Sequence, residues 1–493
     1  MSSTLSEGRL AAGSALPTSL AARLSSASLW RPRHYLLLLA VGVLVAIRRA
    51  ESALDTDVLW SSRFGMDLLS SGRLDRFDTF SWTAHGSRWI PSSWAWNVVL
   101  GGAYDGAGVF GLWTVAIALA GLFSLLLGAV AARAGARPVP TAMVFVALGF
   151  VVFVVVPRAA AVTNTIILAF ALLVPVLVTG GKRVARRAGA ALVAVEIVWM
   201  NLHSMAVLGP LLVFVVGVAV VLGSRLRGAE LRRASTRIAV VVTLTAVGMA
   251  ATPYGLEPLL HAQAVRDASV GLINEWQKPG FGSFAQTFAV GVIVACIPLA
   301  WHAWIGRRFA LAAMLLLFAL ATMSAIRFAP MGVTVAIPEL AILLGGLAVR
   351  PMMFRRTLIA GCSVFIGVTA LSFSHFARLS DGEASPSLVH MVPPMCRVVN
   401  DYALGGGLML LRPDVQVSLD GRNDMYGRAR VLSAAALLNG GPAALRTMSA
   451  SGVDCVLAPT ATALVQQLKQ DANWERIGQD SVRTLLVRKG TRS

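Results

Sequence analysis

Two carboxylates one residue apart, Asp55 and Asp57, open a long polar stretch that runs through Asp78-Thr79-Phe80-Ser81-Trp82-Thr83, Gly86, Trp89 and Trp94. Carboxylates so placed can act as general bases or ligate a hard cation, and Trp side chains suit a bilayer interface or the face of a sugar ring. The plainer reading is an interfacial loop with solvated acids. Asn201 and His203 fall between two apolar runs, where they could hydrogen-bond a phosphate or a sugar hydroxyl, although a lone His is more often structural. Arg158 and Arg327 each end an apolar run; a guanidinium there can pair bidentately with phosphate oxygens or snorkel to lipid headgroups. Glu275, beside Trp276 and beyond the helix-ending Pro253-Tyr254-Gly255, is a second candidate acid.

The elements that must hold these residues are predominantly apolar. Of 493 residues, 56% are hydrophobic and 14% charged, well under the charged fraction of a soluble domain. Apolar runs recur at 35–47, 107–132, 140–156, 166–179, 188–200, 205–222, 238–251, 284–305, 309–326, 328–349 and 358–373, a pattern of about eleven membrane spans. Residues 1–29, rich in Ser, Ala and Leu, read as a disordered tail. The large loop 51–106 interrupts a transmembrane domain spanning 30–373.

Alternate connections are basic: Arg31 and Arg33, Arg133 and Arg137, Lys182 to Arg187, Arg225 to Arg237, Arg307 and Arg308, and Arg350 to Arg356. Lys and Arg accumulate on the cytoplasmic side, so the N-terminus is expected inside, with Arg48 and Arg49 as the exception. The polar loop, Arg158, Asn201, His203, Glu275, Arg327 and the tail then share the outer face. The net charge of +19 lies in these short clusters, which argues for membrane orientation and against a nucleic-acid partner.

Residues 374–493 alternate short apolar runs, at 408–411, 415–419, 453–458 and 483–487, with helix-like stretches near 429–438 and 461–470, which predicts a small extracytoplasmic α/β domain. Gly405-Gly406-Gly407 marks a tight turn, and Asp420-Gly421-Arg422-Asn423-Asp424 a polar cluster at a strand end. Cys396 and Cys455 both lie in this tail, so a disulfide and two buried thiols are both open readings.

The opening block 55–60 with 78–94, the Trp199, Asn201 and His203 hairpin, Pro253-Tyr254-Gly255, Glu275-Trp276 and Asp420-Gly421-Arg422 together resemble a family of bacterial multi-spanning proteins related to the GT-C superfamily of glycosyltransferases. The resemblance runs almost the full length. It implies a polytopic helical fold in the bacterial cytoplasmic membrane, a sugar donor carried on a polyprenyl phosphate, and an envelope glycan, lipid or protein as acceptor. Carried over residue by residue, Asp55 or Asp57 is the base. Arg158, Asn201, His203, Glu275, Trp276, Arg327, Asp420 and Arg422 are the substrate-binding set. The family's block often carries a second Trp and a His after its acids, where this chain has Leu59 and Ser61.

A divalent cation, Mg or Mn, held by Asp55 and Asp57 is compatible with the chemistry, but two acids alone make an incomplete site unless phosphate and water complete it. Two other functions fit the same topology. A transporter or flippase of an anionic lipid-linked substrate would use the outer Arg residues, and a non-catalytic envelope scaffold would use the tail.

Overall fold

The computed structural model describes residues 30–48, 55–74, 76–151, 157–346 and 385–491. The eleventh expected span, 358–373, the basic loop 350–356 and the tail 1–29 lie outside them. Helices occupy the first ten expected segments: α1 (Pro32–Arg48), α3 (Trp94–Ala134), α4 (Pro138–Val151), α5 (Ala159–Thr179), α6 (Lys182–Leu202), α7 (Leu208–Ser224), α8 (Gly228–Gly248), α10 (Phe284–Ile305), α11 (Phe309–Ser324) and α12 (Ala329–Gly346). Two more, α2 (Thr56–Ser71) and α9 (Glu257–Ser269), belong to the expected outer loops.

Five of the described helical stretches, 94–134, 159–179, 204–224, 284–305 and 326–346, are long and apolar enough to cross a bilayer. The others are shorter or begin with charges: α6 opens Lys-Arg-Val-Ala-Arg-Arg. Cations at a helix N-terminus oppose the helix dipole, so their placement serves membrane orientation better than helix stability. Phe123, Phe145, Phe170, Trp199 and Phe318 lie in one shared core. A bundle apolar on its outside as well, with Leu222 63% and Leu320 66% exposed, is the pattern of a polytopic membrane protein.

The loop expected over 51–106 is largely helical. Asp55 caps α2, accepting backbone N–H bonds from Asp57 and Val58 at 3.1 Å each. Residues 94–106 form the first part of α3, which breaks at Ala107 and Gly108, where Gly108 adopts a φ of 56°. Sequence hydropathy caught only the apolar half of this helix, because its first turns carry Asn97, Tyr104 and Asp105.

The tail contains α13 (Pro386–His390), β1 (Arg397–Asn400), α14 (Gly405–Leu411), β2 (Gln416–Val417), α15 (Asn423–Leu437), α16 (Gly441–Ala450), β3 (Cys455–Pro459), α17 (Ala463–Leu468), β4 (Trp474–Gln479) and β5 (Arg483–Arg488). Its sheet has the order β2-β1-β3-β5-β4, parallel over the first three strands and antiparallel over the rest. Cys396 and Cys455 form a disulfide within it. The Gly405-Gly406-Gly407 run begins α14 rather than a tight turn. A Cβ on Gly406 would stand 2.1 Å from the Thr56 carbonyl oxygen, and the Gly406 N–H donates to Thr56 Oγ1 at 3.0 Å. Glycine is needed there for close approach of two backbones.

The stretch between α2 and α3 docks on the sheet edge. Trp82 N donates to the Val417 carbonyl at 3.1 Å, Val417 N donates to the Phe80 carbonyl at 3.0 Å, and Trp82 Nε1 reaches the Val398 carbonyl at 3.0 Å. The tail is thereby fastened over the end of the bundle that carries α2.

Candidate active site

Four positions at helix ends meet beneath the tail. Asp57 extends from the first turn of α2, Arg158 caps α5, His203 ends α6, and Arg327 sits in the short turn between α11 and α12. Together with Glu275, Trp276 and Tyr402 they line one cavity of about 340 Å³. Turns between helices place polar groups at a bundle's end without burying unpaired backbone in its core, which is why these residues fall where the apolar runs stop.

One wall is an acid–guanidinium cluster. Arg158 Nε pairs with Asp55 Oδ2, and its Nη2 lies 3.5 Å from Asp57 Oδ2. Trp60 Nε1 donates to the other Asp57 oxygen at 3.2 Å. The two acids differ: the Asp55 side chain is 14% exposed and occupied as a helix cap, whereas that of Asp57 is 38% exposed and lines the cavity. Removal from bulk water raises the Asp57 carboxyl to about 6, opposed by Arg158 and reinforced by the negative charges of Asp55 and Glu275. Arg158 is raised by Asp57, Asp55 and Glu275 despite its own burial, and it is permanently cationic.

Across the cavity, the Arg327 guanidinium lies 4.1 Å from the centre of the Trp276 ring and 3.8 Å from Glu275 Oε1. Ile326 N donates to the Gln277 carbonyl at 2.9 Å, which ties the Glu275–Trp276 loop to the Arg327 turn. His203 is buried and its pKa is pushed down to about 3, first by burial and then by the Arg327 charge. Its ring is neutral at neutral pH. His203 Nδ1 lies 2.7 Å from Thr163 Oγ1, which also accepts from Trp199 Nε1 at 2.9 Å.

Three of the expected substrate-binding residues do not line this cavity. Asn201 accepts from Trp94 Nε1 at 2.9 Å and donates to the Ile197 and Ala251 carbonyls, a bonding pattern that ties α6 to its neighbours. Asp420 and Arg422 are fully buried. Arg422 Nη2 reaches Asp420 Oδ2 at 2.7 Å, its Nη1 pairs with Asp78 Oδ1 at 2.8 Å, and Tyr426 donates to Asp420 Oδ2 at 2.7 Å. Trp89 and Phe80 rings flank the guanidinium at 4.8 and 5.2 Å. The charges of Asp420, Arg422 and Asp78 are thus spent on each other, holding the tail to the stretch between α2 and α3.

Their neighbours reach the cavity instead. Gly421 abuts the acid, since a Cβ there would stand 2.3 Å from Asp57 Oδ1. Asn423 donates to the Tyr402 hydroxyl at 2.9 Å, Asp424 accepts from Trp89 Nε1 at 3.0 Å, and all four of these tail residues line the space. Burial, and secondarily the Asp57 charge, raise the Tyr402 phenol, which stays protonated.

Two crystal structures of ArnT from Cupriavidus metallidurans align with the chain over 92% of its length and 97% of theirs. The one bound to undecaprenyl phosphate superposes with a TM-score of 0.54 at 12% identity, the apo form with 0.56 at 14%. This chain has the ArnT fold. The expected polytopic helical architecture is therefore met at the level of fold. No protein-family model and no curated protein sequence matches the chain.

Within the ArnT-like scaffold the donor set for a cation is poor. Among the described residues no three His, Cys, Asp or Glu side chains gather as a ligand set. The Arg158 guanidinium occupies the space between Asp55 and Asp57 that a divalent ion would need. Both acids are paired with that guanidinium.

Proposed function

We propose that the chain is a membrane glycosyltransferase that moves a sugar from a polyprenyl-phosphate carrier to an envelope acceptor on the outer face of the bacterial cytoplasmic membrane. The observation that carries this reading is the convergence of the accessible Asp57 carboxylate and two cations from separate helix ends in a single cavity. The fold it shares with a protein crystallised on undecaprenyl phosphate supports a lipid-phosphate leaving group. The Cys396–Cys455 disulfide supports an oxidising compartment for the tail, and the basic connections support a cytoplasmic N-terminus.

In this reading Asp57, rather than the capped Asp55, is the base. It takes the proton of an acceptor hydroxyl as that oxygen attacks the anomeric carbon, and the bond from that carbon to the phosphate oxygen breaks. Arg158 and Arg327 receive the negative charge that develops on the departing phosphate. Trp276, already stacked on Arg327, offers its ring edge and Glu275 its carboxylate to the sugar, and neutral His203 provides a hydrogen bond. Arg158 also supplies the positive charge that keeps Asp57 ionisable near neutral pH.

The test measures release of undecaprenyl phosphate from undecaprenyl-phosphate sugars in proteoliposomes containing envelope acceptors. Wild type turns over with at least one donor, whereas Asp57→Asn and Arg158→Gln each lose about 100-fold or more in rate. Full activity of Asp57→Asn with Asp55 intact would remove Asp57 from the mechanism, and turnover with no donor would remove the reaction.

A further inference from the structure

We propose a second binding site, for the phosphodiester headgroup of an anionic membrane lipid, at the end of the bundle opposite the active-site cavity. Four helices define both ends. At the first, α3 contributes Trp96, α5 is capped by Arg158, α7 is preceded by His203 and Met205, and α11 is followed by Arg327. At the second, the same helices contribute Arg133, Thr179, Ser224 and the Arg308–Phe309 start of α11 to a cavity of about 420 Å³. The two cavities are separated by the length of the bundle, so the second cannot hold a group reacting at Asp57.

The chemistry of this second cavity is divided. Its walls are apolar, from Leu172, Pro175, Val220 and Leu311, and its rim is cationic, from Arg133, Arg307 and Arg308. Arg308 is already neutralised: its Nε lies 2.5 Å from Glu339 Oε1 and its Nη2 2.8 Å from Glu339 Oε2, with His302 Nδ1 3.0 Å from the same carboxylate. Glu339 is fully buried, so its charge is committed to that pair and does not offset the rim. One Arg133 N–H reaches the Leu172 carbonyl at 3.3 Å and the residue is otherwise exposed, and Arg307 is exposed and held at a φ of 59°. Arg133 and Arg307 therefore form a net positive mouth over an apolar slot between helices.

A free phosphate ion would satisfy the rim and leave the slot without a partner. An anionic glycerophospholipid satisfies both, with its phosphodiester between Arg133 and Arg307 and an acyl chain along the Leu172, Pro175 and Val220 wall. The helices around the slot already present exposed apolar residues to a hydrocarbon environment, Leu222 at 63% and Leu316 at 47%. Basic pockets between spanning helices are a recurrent way of holding such headgroups. This lipid is a resident of the fold, and its binding does not depend on the transfer reaction.

The experiment is native mass spectrometry of the full-length protein released from nanodiscs of phosphatidylglycerol and phosphatidylcholine in equal parts. Wild type retains phosphatidylglycerol about tenfold over phosphatidylcholine, and Arg133→Gln/Arg307→Gln loses that preference. The control Arg183→Gln/Arg186→Gln removes two exposed charges outside the cavity and keeps it. All of these side chains are exposed, so the variants retain the fold, which a melting curve verifies. Equal retention by the two double variants overturns the site. Displacement of the lipid by an equal concentration of inorganic phosphate overturns the headgroup assignment.

Discussion

Arg422→Ala tests whether the tail is held over the bundle by the buried charge network. The side chains of Arg422, Asp420 and Asp78 are fully buried, and Arg422 makes ion pairs of 2.7 and 2.8 Å to the two acids. Removing it leaves two carboxylates in a water-excluded interface with no countercharge. Breaking a buried pair in this way costs about 3–5 kcal/mol. The described tail, residues 385–491, is a domain of about a hundred residues, for which about 1 kcal/mol moves the melting temperature by roughly 4 °C. The expected fall is about 12–20 °C. Differential scanning fluorimetry in detergent reads it, and limited proteolysis between the last span and the tail reads the loss of docking. A triple variant that adds Asp78→Asn and Asp420→Asn recovers part of the loss, because neutral amides no longer require the guanidinium, although their coupling makes the recovery non-additive. A shift below about 4 °C, roughly 1 kcal/mol, would refute the argument that this network fastens the two parts.

Activity falls as pH drops through about 6, where Asp57 takes up a proton: its raised pKa leaves about one-tenth of it ionised a pH unit below that value. Asp55→Asn removes a neighbouring negative charge and moves this limb to lower pH, and a pH–rate profile with no limb between pH 5 and 7 would exclude Asp57 as the base. Gly421→Ala forces the Asp57 carboxylate away by about 1 Å, because the new Cβ would lie 2.3 Å from Asp57 Oδ1 and 2.7 Å from Trp60 Nε1. It lowers kcat by up to about 100-fold at unchanged melting temperature, and wild-type turnover would show that the tail does not position the acid. Reduction, or Cys455→Ser, opens the cross-link between residues 396 and 455 and costs the tail about 4 kcal/mol, read as a lower urea midpoint under reducing conditions.

The linear pattern of residues was enough to place helices at the first ten apolar segments, because a bilayer imposes an apolar run long enough to read in one dimension. It also located the polar residues at helix ends. Asp57, Arg158, His203, Glu275 and Arg327, offered by residue type and shared sidedness, and Trp276, offered by the resemblance, stand around one cavity. The second half of α3 was equally legible. The first half was not, since residues 94–106 are polar enough to pass for loop and become helical by packing against α2.

Tertiary structure decided what each charge is used for. Asp55 and Asp57 are alike in sequence, yet one caps a helix and the other faces the cavity, a difference set by the helix start between them. Within 420–424, Asp420 and Arg422 are paired with each other and Arg422 also with Asp78, far away in sequence, while Gly421, Asn423 and Asp424 reach the site. Tyr402 carried no signal of its own because it enters from a sheet domain whose β1 and β4 are too short or too polar to stand out by alternation. Partner choice among buried charges depends on which surfaces meet, and composition and periodicity describe each surface only by itself.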